Sequence, residues 1–472
     1  MKSAKTIAIV LIAVIIISSL VLVYSKNWLQ TNLPSLNKTT TTVNNMNLVL
    51  EIYGNANMDD KIDSDDVAYL QQIINGSAAK TQFADANKDG IIDEKDIAQI
   101  NAIITGKATK LYMIDGSKTD ITVSLPANRI IIEYNQNAEL VKILGVEHLV
   151  VGIDSGIEHV KNIFFPNNAD SITSVGSMSS PDYERILNLN PTTLLVFSPG
   201  SGGSATTNDK ATHLPGIDVI YLGLYTPNVT NPQDSSFIQG ILKAGYIFNK
   251  IPQATEYANW ILTITTNIHT KINTIPINQR HTVLLTNSPA IGSPKAYVAL
   301  DTLGQACILA GGNNIANVPA GSTAFSIALD IEYIISKNPD YIFLHTVRYT
   351  YGGIINEPPQ GTDTNDTTGM KNVLQQYVTQ PAFANLDAVK NNTVYMIAGD
   401  FRNNAMGGTL CAVYMAKILY PEVFTDLNPQ EIHQEYITRF LQLNYNLDTN
   451  GVFLYPAITV NGDTVGIPNG AN

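Results

Sequence analysis

The chain has 472 residues, with 28 basic and 40 acidic side chains and a formal net charge of -12. That length allows roughly two to four domains, and the acidic balance excludes the basic stripe that a nucleic-acid binder needs. Two cysteines exclude a disulfide-dense scaffold or a multi-cysteine metal centre, while 44% hydrophobic residues suffice for packed cores.

Ile7 to Tyr24 reads IAIVLIAVIIISSLVLVY, eighteen residues without a charge, behind Lys2 and Lys5. At about 1.5 Å per residue, such a helix just spans the roughly 30 Å hydrocarbon layer. Basic residues in front keep the N-terminus inside and send the rest out. A cleaved signal peptide competes with this reading, but the run exits as VLVYSKNW, without a small-x-small site. Residues 1–30 are therefore expected to be a single-pass anchor in the cell membrane, with everything after it extracytoplasmic. Residues 31–50, rich in Thr and Asn, read as a spacer. Asn37, Asn75, Asn228, Asn365 and Asn391 each open an N-x-S/T sequon, a signal that matters only outside the cytoplasm.

Two segments then repeat in register, NANMDDKIDSDD from Asn55 and DANKDGIIDEKD from Asp85. Oxygen-bearing side chains fall at loop positions 1, 3, 5, 9 and 12 of both. They are Asn55, Asn57, Asp59, Asp63 and Asp66, then Asp85, Asn87, Asp89, Asp93 and Asp96. Position 7 supplies a backbone carbonyl, from Lys61 and from Ile91, and position 8 is an isoleucine expected to join the loops. Calcium wants six to eight oxygens, and a 12-residue loop with this spacing wraps one ion. After each loop comes a helical pattern that stops at Asn75-Gly76 or Thr105-Gly106. An acidic surface loop is the bland alternative, and two loops in register, each with a matching helix and stop, outweigh it.

A standard EF-hand has a helix before the loop and Glu at position 12, whereas here both are missing. This duplicated loop–helix over residues 51–107 resembles a type I dockerin, the all-α module that plugs into a cohesin. The resemblance implies two Ca²⁺ ions and a cohesin-bearing partner, met by positions 10 and 11, which are Ser64, Asp65, Glu94 and Lys95. Asp60 departs from it, since Gly is expected at position 6, and Asp there would have to take the left-handed conformation.

From residue 111 on, strands and helices alternate. RIIIEY (129–134), HLVVG (148–152), TLLVFS (193–198) and DVIYL (218–222) read as strands, with helices over 137–144 and 183–189. A long helical pattern runs from Asp234 to Ile275, broken near Pro252. The alternation then resumes with strands at 281–287, 340–345 and 392–398 and helices at 301–310, 330–337 and 409–419. The pattern implies an α/β fold: two Rossmann-like lobes, residues 111–250 and 279–472, joined by a long helix over 251–278.

This layout, with LPANRIII, VGSMSSPDYERILNLNPTTLLVFS, LGQACILAGGNNIA and SIALDIEYIISKNPDYIFLH, resembles the class III periplasmic binding proteins of ABC importers. The resemblance covers about 115–442 and implies an iron chelate, haem or corrinoid as ligand and an ABC permease as partner. In that family a glutamate on each lobe docks on the permease, which maps to Glu184 and Glu332. Their plain alternative is an acid at a helix N-terminus. Residues 444–472 lie outside the resemblance.

Ligands of open α/β sheets sit beyond the carboxyl ends of the strands. That places Tyr134, Asn135, Ser198 and Tyr225 of the first lobe, and Asn287, His345, Arg348, Tyr349 and Arg402 of the second, at the crevice. Arginine forks suit carboxylates, and tyrosines pack flat ligands. Any single one of these is as readily an ordinary loop residue. The seven histidines are scattered, and only His213 and His345 fall near the crevice, too few for a bare Zn²⁺ site. Cys307 and Cys411 sit in apolar helical stretches and read as buried free thiols, with a bridge between them left open. No nucleophile elbow, HExxH or Walker loop is present, so an enzyme is not expected. The expected function is a membrane-anchored solute receptor tethered through a calcium-loaded dockerin. A cell-surface assembly or adhesion protein that keeps the receptor fold without transport is the alternative.

Overall fold

The computed structural model describes residues 46, 48–198, 206–225, 233, 235–287, 294–319, 322, 324–346, 358–403 and 406–471. Residues 45–472 form one compact unit. Among the described residues no helix is long and apolar enough to cross a membrane, and the apolar segment 7–24 lies outside them.

Two loop–helix units lead. Helices Ser64–Ile74 and Glu94–Ile104 both start on a capping box, Asp63 with Asp66 and Asp93 with Asp96. Each box satisfies two of the backbone N–H groups that a helix start leaves unpaired. Leu70, Ile73, Ile100 and Ile103 recur at helical spacing and are buried. An antiparallel hairpin follows, Lys110–Ile114 with Asp120–Ser124, which the sequence reading did not separate out. Gly116 lets it press on the first lobe: a Cβ there would lie 2.5 Å from the Gly223 backbone nitrogen.

The first lobe is a five-stranded parallel sheet in the order Thr173–Ser174, Val150–Ile153, Ile130–Ile132, Thr193–Val196, Asp218–Tyr221. In chain order this is 3-2-1-4-5, a doubly wound arrangement whose switch point lies beside the first strand. The run III at 130–132 is buried on both faces, as a central parallel strand must be.

The second lobe is a mixed seven-stranded sheet. Its parallel centre is Thr282–Asn287, Tyr341–His345 and Val394–Ile397. Lys295–Tyr297 and Ser326–Ala328 extend one edge antiparallel. Leu454–Tyr455 closes the other edge against Val394–Ile397, so the tail past residue 444 completes this sheet.

Helix Ile251–Ile272 lies between the lobes in sequence, with Pro252 in its first turn. It packs on the helices Tyr134–Ile143 and Ser236–Ile247 on one side and Thr302–Leu309 and Gly407–Leu419 on the other. Tyr257 and Trp260 seat it against Tyr436 and Phe440. Cys307 and Cys411 are buried and free.

Candidate functional site

Two regions carry the chemistry. The first is the pair of loops at 55–66 and 85–96, which share most of their internal hydrogen bonds. The position-12 carboxylate accepts two loop N–H groups in each: Asn57 and Asp63 donate to Asp66, and Asn87 and Asp93 donate to Asp96. The position-5 N–H donates to the position-1 and position-3 side chains, Asn55 and Asn57 or Asp85 and Asn87. The position-7 N–H, from Lys61 or Ile91, donates to the position-5 carboxylate. Met58 and Lys88, at position 4, both take positive φ.

Position 6 breaks the match. Gly90 takes φ +88° and donates to Asp85 Oδ2 at 2.9 Å. Asp60 is not in the left-handed region, which corrects the sequence expectation. Its carboxylate instead accepts the Met46 N–H, and the Asn55 amide turns to the Leu50 and Asp59 carbonyls. The Ile62 N–H goes to the Tyr246 hydroxyl of the first lobe at 2.7 Å, while its side chain is buried in the core on which Ile92 also packs.

Burial, reinforced by the neighbouring Asp59 and Asp63 charges, pushes the Asp66 carboxyl up to about 6. Asp96 is raised in the same way, first by burial. A dication relieves such crowding, and the donor set of Asn, Asp and a backbone carbonyl is the hard oxygen type that calcium takes. Among the described residues no three His, Cys, Asp or Glu side chains by themselves converge for a metal. Ser64, Asp65, Glu94 and Lys95 are all exposed.

The second region lies at the switch point. Tyr134 opens its helix at φ +67°, two residues past the end of the first strand, and its N–H donates to Asp154. The sequence reading ran the strand through Tyr134, but the chain turns into the helix there. Tyr134 packs on Phe197 (4.3 Å), Phe197 on Tyr225 (5.2 Å), and Tyr225 on Phe325 of the second lobe (5.5 Å). Beneath this ladder Glu133 and Lys210 form a buried pair at 2.5 Å, and Glu133 also accepts the Phe197 N–H. Burial pushes the Asp154 carboxyl up to about 7, with Glu133 adding to the shift.

Arg402 does not stand free in the crevice. It grips the fully buried Asp301 through Nε and Nη2, and Nη2 also donates to the Tyr225 hydroxyl at 2.9 Å. Its guanidinium lies over the Tyr297 ring, 5.1 Å from the centroid. Burial works against its charge, but Asp301 more than compensates and holds it protonated. His345 is fully buried, its Nδ1 3.0 Å from the Tyr297 hydroxyl. Burial and Arg402 pull its pKa down to about 3, so the ring is neutral and packs under the site. Asn287, at its strand end, accepts the Lys295 N–H. Asn135 is half-buried and Ser198 buried. His213 is exposed and stacks on Tyr183. Arg348, Tyr349 and Tyr351 lie outside the described residues, as does most of the 198–203 loop.

Glu184 and Glu332 are exposed in the first turns of helices Tyr183–Asn188 and Ile331–Lys337. The two segments match in detail: Ile186 and Ile334 are buried, while Leu187 (44%) and Ile335 (45%) are exposed. Asn190 and Asn338 end both helices at positive φ, each followed by proline.

Sequence reasoning missed Phe197, Phe325 and Asp301 at the crevice and Tyr246 at the first loop. Asp301 reads locally as a helix cap, and it does accept the Leu303 N–H. An apolar ring directly after a buried strand was the available signal for Phe197.

The fold resembles those of solved periplasmic binding proteins. The TroA-like periplasmic binding protein FepB of Veillonella parvula matches at TM-score 0.58 and 17% identity, covering 73% of this chain and 98% of that one. The molybdate-bound periplasmic binding protein MolA of Haemophilus influenzae matches at TM-score 0.54 and 18% identity, covering 71% and 99%. CeuE of Helicobacter pylori with Ni(II) bound matches at 0.53 and 15%, covering 71% and 97%. No curated protein matches the sequence. The dockerin type I domain model matches residues 53–105, and the periplasmic binding protein model matches residues 130–400. The chain belongs to the periplasmic binding protein family and carries a dockerin type I domain ahead of the binding lobes.

Proposed function

We propose that the protein is the extracytoplasmic receptor of an ABC importer, held on the membrane by residues 7–24 and tethered to a cohesin-bearing surface partner through its dockerin. The observation that carries this reading is the aromatic ladder from Tyr134 to Phe325, which starts at the switch point of one lobe and ends on the other. A row of tilted and edge-to-face rings, two of them tyrosines with a polar tip, suits a largely apolar ligand with polar edges. An iron chelate, haem or corrinoid has that character. Arg348 and Tyr349 complete the proposed lining.

Two Ca²⁺ ions fill the paired loops, held by Asn55, Asn57, Asp59, Asp63 and Asp66 with the Lys61 carbonyl, and by Asp85, Asn87, Asp89, Asp93 and Asp96 with the Ile91 carbonyl. The exposed Ser64, Asp65, Glu94 and Lys95 meet the cohesin. In right-handed strand–helix–strand units the helix runs opposite to the strands, so its N-terminus lies at their carboxyl end. Glu184 and Glu332 therefore sit on the crevice rim, one per lobe, where opposite charge on a permease steers docking.

The test is uptake against binding. Substituting both glutamates with glutamine abolishes uptake and leaves ligand binding intact; unchanged uptake refutes the docking role. A second reading, a surface-assembly module without transport, is favoured by the direct Tyr225–Arg402 contact, which ties the lobes together. Ligand bound to the purified protein excludes it.

A further inference from the structure

The peptide group between Lys61 and Ile62 has two ends. Its carbonyl is the position-7 calcium ligand of the first loop, and its N–H belongs to Ile62. In a trans peptide these two groups point in opposite directions. The Ile62 N–H donates to the Tyr246 hydroxyl at 2.7 Å in a buried contact. Tyr246 is on helix Ser236–Ile247 of the first binding lobe, 184 residues away in sequence. Held this way, the peptide turns the Lys61 carbonyl away from Tyr246. In the second loop, the equivalent Ile92 N–H has no such partner among the described residues.

The contact stands within a wider seam. Glu51 pairs with the buried Lys243 at 2.8 Å and with Lys118 at 2.6 Å. Gln239 donates to the Val49 carbonyl and accepts the Glu51 N–H. Tyr53 donates to Asp120, which also pairs with Lys88. The backbone of residues 51–53 runs along the hairpin, Tyr53 donating to Tyr112 and Ile114 to Glu51. The helix that carries Tyr246 also carries Gln239 and Lys243, so one rigid element holds three of these contacts.

We propose that Tyr246 is a positioning residue for the first calcium site, so that the receptor lobe completes that site and calcium in turn braces the dockerin against the lobe. The proposal rests on the calcium reading of the loops. A cation on the Lys61 carbonyl polarises the peptide and strengthens the N–H bond to the phenol oxygen, as hydrogen bonds in series do. Linkage makes the effect reciprocal: what the contact adds to calcium affinity, calcium adds to the contact. The two sites are therefore unequal, since only the first has its position-7 peptide bonded to the lobe.

The test is calorimetric titration of the full chain in detergent with calcium chloride. With the second loop silenced by Asp96→Asn, Tyr246→Phe weakens the remaining site about fivefold, the equivalent of one ordinary hydrogen bond. With the first loop silenced by Asp66→Asn, Tyr246→Phe changes nothing. Equal affinity in the first background, or the same loss in both, overturns the proposal. Hydrogen exchange on the unsubstituted chain gives a second readout that needs no variant. Calcium slows exchange around residues 236–247 as well as in the loops, and protection confined to the loops overturns the coupling. An unsubstituted chain that takes up no calcium refutes the calcium reading itself, and the proposal with it.

Discussion

Tyr225, in the loop after the last strand of the first lobe, accepts a hydrogen bond from Arg402 Nη2 of the second lobe at 2.9 Å. Its own hydroxyl lies 3.3 Å from Asp301 Oδ2, and its carbonyl accepts the Thr302 hydroxyl at 2.7 Å. One residue thus fastens two lobes across the crevice. Tyr225→Phe keeps the ring in the aromatic ladder and the Asp301–Arg402 pair intact. The expected cost is about 1–2 kcal/mol in chemical denaturation, the range for one or two buried hydrogen bonds. Small-angle scattering of the variant is expected to show a wider separation of the lobes.

Asp301→Ala is expected to be more severe. It leaves the Arg402 guanidinium buried without its carboxylate, a loss on the order of 3–5 kcal/mol. The double variant Asp301→Ala with Arg402→Met recovers part of that loss. Denaturation midpoints of the three proteins check the order.

Much of this arrangement was legible in residues that act locally. The run III at 130–132 has only one comfortable setting, a strand covered on both faces. The two acidic loops announce their spacing without any tertiary context. Tyr134 was misread because an apolar strand running into a tyrosine gives no sign of a φ of +67°. Asp301 and Arg402 are 101 residues apart and Ile62 and Tyr246 are 184 apart, so neither pairing leaves a trace in local pattern. Leu454–Tyr455 was missed because two residues are too short for periodicity to register.

Asp154 gives a pH test. Its carboxyl is pushed from an ordinary 3.8 up to about 7, chiefly by burial. Below pH 3.8 both the folded and unfolded chains hold the proton. As pH rises from there to 7, the unfolded chain releases it first, so folding loses stability, and above 7 the loss is complete. Asp154→Asn removes this titration. Its stability relative to the unsubstituted chain is expected to improve between pH 4 and pH 8 by up to about 4 kcal/mol, read from urea denaturation at both pH values.

The matched helices that bear Glu184 and Glu332 also expose Leu187 and Ile335 one turn on. Leu187→Asp and Ile335→Asp are expected to change stability by less than about 0.5 kcal/mol, as exposed positions do. Thermal unfolding checks this, and a larger loss in either variant places that side chain against structure outside the described residues.

The central claim is that a small molecule is gripped between the two lobes. Native mass spectrometry of the intact protein, purified from the cells that make it, tests this most directly. The account predicts a population carrying one small-molecule adduct per chain in addition to calcium, retained in the Glu184→Gln/Glu332→Gln protein. A mass explained by the chain and calcium alone, in preparations that show no adduct under any gentle condition, would contradict it.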